Sequence, residues 1–195
     1  MTTQPTNRTP SVTRQRATIF HGYGATPEDH WFQWLADQLK AAGAPTLVPA
    51  LPDPLEPDPQ QWEDTVSMAL GIPDEHTAVV AHSLGCLTVL RYLGSINEDW
   101  QLGTLVLVSG FVDRLPALPD LDSYVGAGYD PAELRSHINR IVIIRSDNDT
   151  LVPPHLTDRV AERFGAEVHV VAGAGHFLAS DGFSTLPEAL EAVCS

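Results

Sequence analysis

Beyond residue 16 the chain alternates short, continuously apolar runs with stretches of helical periodicity. That alternation restricts the available folds more than any other feature. Residues 17–20, 46–48, 77–81, 105–108, 141–145 and 168–171 read as strands. They are continuous rather than alternating, as parallel strands are when helices cover both faces. Between them, Trp31, Leu35 and Leu39 share one helical face before Gly43. Trp62, Val66 and Leu70 do so before Gly71, and Leu156, Val160 and Phe164 before Gly165. A glycine just past each stripe suits a helix C-terminus. A last helix is expected to open with a Thr185-x-x-Glu188 capping box and to turn Leu186, Leu190 and Val193 inward. Strands alternating with helices predict an α/β protein with a doubly wound, mostly parallel sheet of about six strands. The 195 residues fit a single domain over 17–195, behind a tail, 1–16, expected to be disordered. Segment 49–59 holds five prolines in eleven residues and reads as an irregular loop.

Charge and composition remove several function classes. Eleven basic against 25 acidic residues give a net charge of −14, which repels phosphate backbones and anionic lipid, so neither nucleic acid nor membrane is an expected partner. No apolar run approaches the roughly 20 residues of a membrane-spanning helix. The first sixteen residues lack the apolar stretch of a secretory signal. Cys86 and Cys194 are too few for a disulfide framework, and a reduced pair in a cytoplasmic protein is the expectation. The eight histidines show no metal-ligand spacing, and no glycine-rich phosphate or dinucleotide loop is present, so no metal or organic cofactor is expected.

In an open α/β sheet, ligands bind beyond the carboxyl ends of the strands. The third strand runs through Val79-Val80-Ala81-His82 directly into Ser83, and a helical stretch follows from Leu84-Gly85. So tight a turn needs small residues two positions either side of the serine, because strand and helix approach closely. Ala81 and Gly85 supply them, alanine standing where glycine is usual. The bland alternative is a Ser83 that only caps the helix. A serine hydroxyl is inert at neutral pH until a base takes its proton, and imidazole has a suitable pKa. His176, reached through Gly173-Ala174-Gly175 after the last strand, is the candidate base. A carboxylate must then fix the tautomer of that ring and stabilise its cation. Asp147 and Asp149 both follow the fifth strand, with Asp113 a distant third. Each could instead form a turn or cap a helix.

Attack on a carbonyl also requires donors for the developing oxyanion. The N–H of Leu84, next to the serine, is one candidate, and the N–H of Tyr23 is the other. Tyr23 sits in His21-Gly22-Tyr23-Gly24 after the first strand. His21, Gly22, Gly24 and Phe177 are the candidate substrate-contacting residues, with His21 expected to orient its loop rather than do chemistry. His82 is expected to point away from the site, and Cys86 to be a packing residue.

A wider resemblance joins these segments. His21-Gly22-Tyr23 with Trp31 and Trp34, the proline-rich loop leading into Trp62, Ala81-His82-Ser83-Leu84-Gly85, Asp149 to Pro153 and Gly175-His176-Phe177 resemble the small serine hydrolases of the YdeN and retinoblastoma-binding-protein-nine group. That group lies in the α/β-hydrolase superfamily, and the resemblance spans nearly the whole chain after residue 16. It implies strand order 2-1-3-4-5-6 and a triad of Ser83, Asp149 and His176. Asp149 is preferred to Asp147 because Asp149-Thr150-Leu151-Val152-Pro153 resembles the D-x-x-V-P run that carries the acid in many such enzymes. The implied activity is carboxylesterase-like: hydrolysis of an ester, or of an amide or thioester, through an acyl-enzyme and without a cofactor; the acidic surface and the short loops add the expectation of a small neutral substrate. The competing class is a lapsed hydrolase fold serving as a binding or interaction module. Residues 110–140 must include a crossover, which takes at least ~10–12 of them. No large cap domain is therefore expected, and the site should be shallow, walled by this segment and by 49–59.

Overall fold

Residues 15–195 are described by the computed structural model. Its six strands are β1 (Arg16–Phe20), β2 (Thr46–Leu47), β3 (Thr77–His82), β4 (Leu102–Val108), β5 (Ile138–Ser146) and β6 (Val168–Val171). They form one sheet in the order β2-β1-β3-β4-β5-β6, every pairing parallel. This is the expected α/β-hydrolase order. Of the tail expected over 1–16, residues 1–14 lie outside the described residues. Arg16 already belongs to β1, and its guanidinium donates to Thr77 Oγ1 at 3.0 Å.

The strand periodicity of two divides the core into halves. Val79, Ala81, Leu105, Leu107 and Ile143 point into one cluster, and Ala78, Val80, Val106, Val108 and Ile144 into the other. Helices α2 (Pro59–Leu70), α3 (Leu84–Ser95) and α5 (Pro154–Phe164) cover the first, while α1 (Phe32–Ala41) and α6 (Pro187–Cys194) cover the second. Every residue of β3 is buried, as its unbroken apolar run requires. Strand order reverses between β1 and β3, so the loops leaving these two strands diverge and open a crevice at the carboxyl edge.

Local chemistry sets the helix ends. Gly71 and Gly165 follow α2 and α5 at φ 57° and 62°, and Gly165 donates to the Glu162 carbonyl. The proline-rich loop stops one residue earlier than the proline count suggests. Pro59 is the first residue of α2, and the Asp58 carboxylate caps that helix by accepting the Gln61 N–H at 2.9 Å. The capping box expected at Thr185 is not formed. Pro187, whose fixed φ and missing N–H suit a first helical position, starts α6 and leaves Thr185 outside its cap.

The segment between β4 and β5 contains no cap domain. It consists of 3₁₀ turns at Pro119–Leu121 and Ala132–His137 and one helical turn, α4 (Asp122–Val125). Arg91 on α3 donates to the carbonyls of Tyr124 and Val125 at 2.9 and 2.8 Å, and Tyr124 Oη pairs with Thr88 Oγ1 at 2.7 Å. These bonds pin the segment over α3. Cys86 is buried, Cys194 is exposed, and they are not bonded to each other. No helix among the described residues is long and apolar enough to cross a membrane.

Candidate active site

Ser83 occupies the turn between β3 and α3 with φ 54° and ψ −123°, a conformation disfavoured for any residue bearing a Cβ. Holding it costs on the order of 1–3 kcal/mol and needs firm surroundings. These are visible. The Ser83 N–H donates to the Val108 carbonyl at 2.9 Å, and a methyl group at Gly85 would lie 2.3 Å from the His21 carbonyl oxygen. The two-residue spacing of small residues thus lets α3 abut the end of β1. The methyl of Ala81 is accommodated within the first core cluster, beside Phe20 in the sheet. Ser83 makes no side-chain cap bond to α3, so its hydroxyl is not spent on the helix.

Three segments meet around this serine. His176 Nδ1 lies 2.7 Å from Asp149 Oδ2. A carboxylate can only accept, so Nδ1 carries the proton and Nε2 of the neutral ring keeps its lone pair. Asp149 Oδ2 also accepts from Ser109 Oγ at 2.9 Å, while Oδ1 takes the N–H groups of Leu151 and Val152 at 3.0 and 2.9 Å. One oxygen therefore forms the turn and the other orients the imidazole. Asp147 is engaged elsewhere, accepting the Gly173 N–H at 2.7 Å, and Asp113 pairs with Arg159 on α5 at 2.9 Å. Ser83, Asp149 and His176 are only 5, 6 and 7 % exposed, which strengthens their mutual electrostatics.

The loop bearing His176 has little regular structure, and side chains hold it. Asp181 Oδ2 accepts the N–H groups of His176 and Leu178 at 2.9 and 3.1 Å, and Asn148 Oδ1 accepts that of Gly175 at 2.8 Å. His82 Nε2 donates to the His176 carbonyl at 2.9 Å. The His82 ring is packed among Trp31, Phe32 and His176, its centroid 4.8 Å from that of His176, and its Nδ1 is buried without a partner. Burial, followed by the neighbouring His176, pushes its pKa well below the ordinary histidine value. His82 is thus a neutral strut behind the candidate base, although it also contributes to the cavity wall.

A cavity of about 150 Å³ is lined by Ser83 and His176 with Tyr23, Ala25, His30, His82, Leu118, Leu151 and Leu178. Tyr23 also borders a second, more polar cleft of about 420 Å³, walled by Leu55, Glu56 and Pro57 of the proline-rich loop and by Asp120, Leu121, Ser123 and Tyr124. The amide groups of Tyr23 and Leu84 have no hydrogen-bond acceptor among the described residues. The four residues expected to contact substrate take supporting positions and do not line the 150 Å³ cavity. His21 is buried: its Nδ1 donates to the Gly22 carbonyl at 3.0 Å and its Nε2 accepts the Leu51 N–H at 2.9 Å, clipping the proline-rich loop to the end of β1. Gly22 abuts the Ser83 side chain, where an added methyl would lie 2.8 Å from its Cβ, and Gly24 faces Leu55. Phe177 is buried against Phe183 in the second core cluster. Two site residues escape a sequence reading, Ser109 and His30. A serine closing a buried strand and a histidine before a tryptophan carry no spacing signal of their own.

Sheet order, the strand-to-helix serine turn and the converging carboxyl-edge loops together define an α/β-hydrolase fold. The family described as serine hydrolase matches residues 17–195, and the chain belongs to it. It is 37% identical to YdeN of Bacillus subtilis (strain 168) over 169 residues, 87% of this chain and 89% of that one. It is 25% identical to the serine hydrolase RBBP9 of Rattus norvegicus over 159 residues, 80% and 83% of the two chains. The crystal structure of the B. subtilis ydeN product superposes with a TM-score of 0.87 at 35% identity, covering 91% of this chain and 95% of that one.

Proposed function

We propose that this hydrolase cleaves small, neutral carboxylic esters through Ser83, His176 and Asp149. The observation that carries the reading is the 2.7 Å Asp149–His176 pair opening onto the cavity that Ser83 lines. Ser83 Oγ attacks the ester carbonyl as His176 Nε2 takes its proton, and Asp149 stabilises the imidazolium. The N–H groups of Tyr23 and Leu84 receive the oxyanion. Collapse of the tetrahedral intermediate breaks the ester C–O bond, and the alkoxide leaves with the proton from Nε2. Water, activated by the same nitrogen, then hydrolyses the acyl-serine and regenerates the hydroxyl. The same chemistry extends to thioesters and activated amides. A surface of net charge −14 disfavours anionic substrates. The unpaired thiols fit action in the cytoplasm.

A fluorophosphonate probe tests this reading. Stoichiometric adduct at Ser83, lost together with turnover in Ser83→Ala, supports it, the kcat loss being on the order of 10⁶. An adduct at Ser109 or Ser146, or a folded protein that takes no label and turns over no ester, refutes it. The last result would favour a binding module on a hydrolase fold.

A further inference from the structure

His30 lies in the loop between β1 and α1 and is the third imidazole on the cavity wall, after His82 and His176. It holds φ 56°, left-handed backbone that a non-glycine residue adopts only when neighbouring contacts impose it. One such contact is clear. The Ala179 N–H, from the loop bearing His176, donates to His30 Nδ1 at 3.0 Å. An N–H can only donate, so Nδ1 carries the lone pair and Nε2 carries the hydrogen in the neutral ring. Burial lowers the pKa of His30, which keeps the ring neutral at pH 7 even beside Asp29. The ring is fixed further against Phe32 and His82, at centroid distances of 5.4 and 6.0 Å. Its Nε2–H has no acceptor among the described residues.

The remaining cavity wall narrows what this donor could serve. His82 spends its Nε2–H on the His176 carbonyl, and Ser83 and His176 are committed to the chemistry. Ala25, Leu118, Leu151 and Leu178 offer only apolar side chains, and the one other polar group on the wall is the phenol of Tyr23, a residue shared with the neighbouring polar cleft. A space of about 150 Å³ equals roughly five water volumes and accepts a short acyl chain. His30 lines this space with a fixed, neutral ring whose Nε2–H is unpaired among the described residues, and such a donor is matched by a single acceptor atom.

We infer that His30 donates through Nε2 to an oxygen carried on the acyl group, so that the preferred substrates are esters of short oxygen-substituted acids rather than of plain alkanoic acids. His30 is then a specificity-determining residue, and the inference rests on the hydrolase reading above. The matched probes are p-nitrophenyl methoxyacetate and p-nitrophenyl butyrate, whose acyl chains differ by one oxygen in place of a methylene. Intrinsic reactivity differs between the two, so the informative quantity is the change in their kcat/KM ratio on substitution. His30→Gly keeps the left-handed backbone and removes the ring, and His30→Asn does the same with a shorter polar side chain. The methoxyacetyl ester should lose about tenfold more kcat/KM than the butyryl ester in both variants, the scale of one good hydrogen bond. Thermal unfolding and fluorophosphonate labelling of each variant establish that fold and nucleophile persist. An equal loss on both esters would reduce His30 to a loop tether through Ala179 and overturn the inference, as would no loss on either. Failure of the wild-type protein to cleave either ester, or to take the label, would remove the hydrolase reading and this inference with it.

Discussion

Ser109→Ala deletes a single hydroxyl that is fully buried and bonded to Asp149 Oδ2 at 2.9 Å. The carboxylate accepts four hydrogen bonds, two on each oxygen. Losing one bond to a buried charge destabilises the fold by about 1.5–3 kcal/mol. At roughly 2–4 °C per kcal/mol for a chain of this size, the Tm should fall by about 3–12 °C. Activity should suffer less than from loss of the acid, because the Leu151 and Val152 amides still hold Oδ1 and His176 still meets Oδ2. A kcat decrease of about tenfold is expected, far short of the ~10⁴ that follows neutralisation of a triad acid. Ser109 also has φ 47°, so Ser109→Gly removes the hydroxyl and relieves the backbone together. The glycine variant should share the kinetic defect while recovering part of the Tm. Turnover of p-nitrophenyl acetate and thermal unfolding by circular dichroism measure both effects. Wild-type kcat together with a Tm within about 1 °C of wild type in Ser109→Ala would refute the reasoning, since a buried carboxylate cannot lose a real donor without effect.

Asp149→Asn should lower kcat by about 10⁴, and Asp147→Asn by far less, because Asp147 holds only the Gly173 amide; steady-state kinetics that reverse the pair would mean the imidazole takes its proton partner from the other aspartate. Gly85→Ala places a methyl 2.3 Å from the His21 carbonyl, and such overpacking should cost about 1–3 kcal/mol and displace the serine turn, visible as a lower Tm and slower fluorophosphonate labelling. Stability should decline on acidification below pH 6.5: the buried His82 stays neutral while its unfolded counterpart gains a proton, so the unfolded state binds more protons. Its share can reach at most about 1.4 kcal/mol at pH 5.5, and urea titrations at pH 8 and 5.5 should show a smaller difference for His82→Gln than for wild type. Acetyl and butyryl p-nitrophenyl esters should surpass long-chain ones in kcat/KM, because a 150 Å³ cavity buries few methylenes at roughly 0.8 kcal/mol each; a steady rise past about eight carbons would require a deep apolar groove.

The sheet is legible in the sequence because its strands are buried on both faces, so each reads as an unbroken apolar run. Strand limits are less so. β4 begins at Leu102 and β5 at Ile138, three residues before each apolar run, and the two residues pair across the sheet although Gly103, Asn139 and Arg140 interrupt the hydrophobic pattern. Ser83, Asp149 and His176 are legible as candidates because the chemistry proposed for them calls for a particular residue type at a strand end. The partners that position them are not, because they meet across long stretches of chain. Ser109 lies 40 residues from Asp149, and His30 lies 149 from Ala179. Neither contact leaves a trace in local spacing; only the closed fold brings the pairs together.

The loop that carries His176 has its shape written in other residues' side chains: Asp147 at Gly173, Asn148 at Gly175, Asp181 at His176 and Leu178, His82 at the His176 carbonyl and His30 at Ala179. All of these anchors grip the backbone, so a side chain such as that of Leu178 is free to vary, whereas Asp181, itself an anchor, and the buried Phe177 are not. Leu178 lines the cavity while only its amide is tethered. Divergence within such a scaffold can therefore exchange a residue of the cavity wall and keep the imidazole in register. Inserting or deleting a residue would instead throw several anchors out of step at once, so new specificities are reached more readily by substitution here than by change of length.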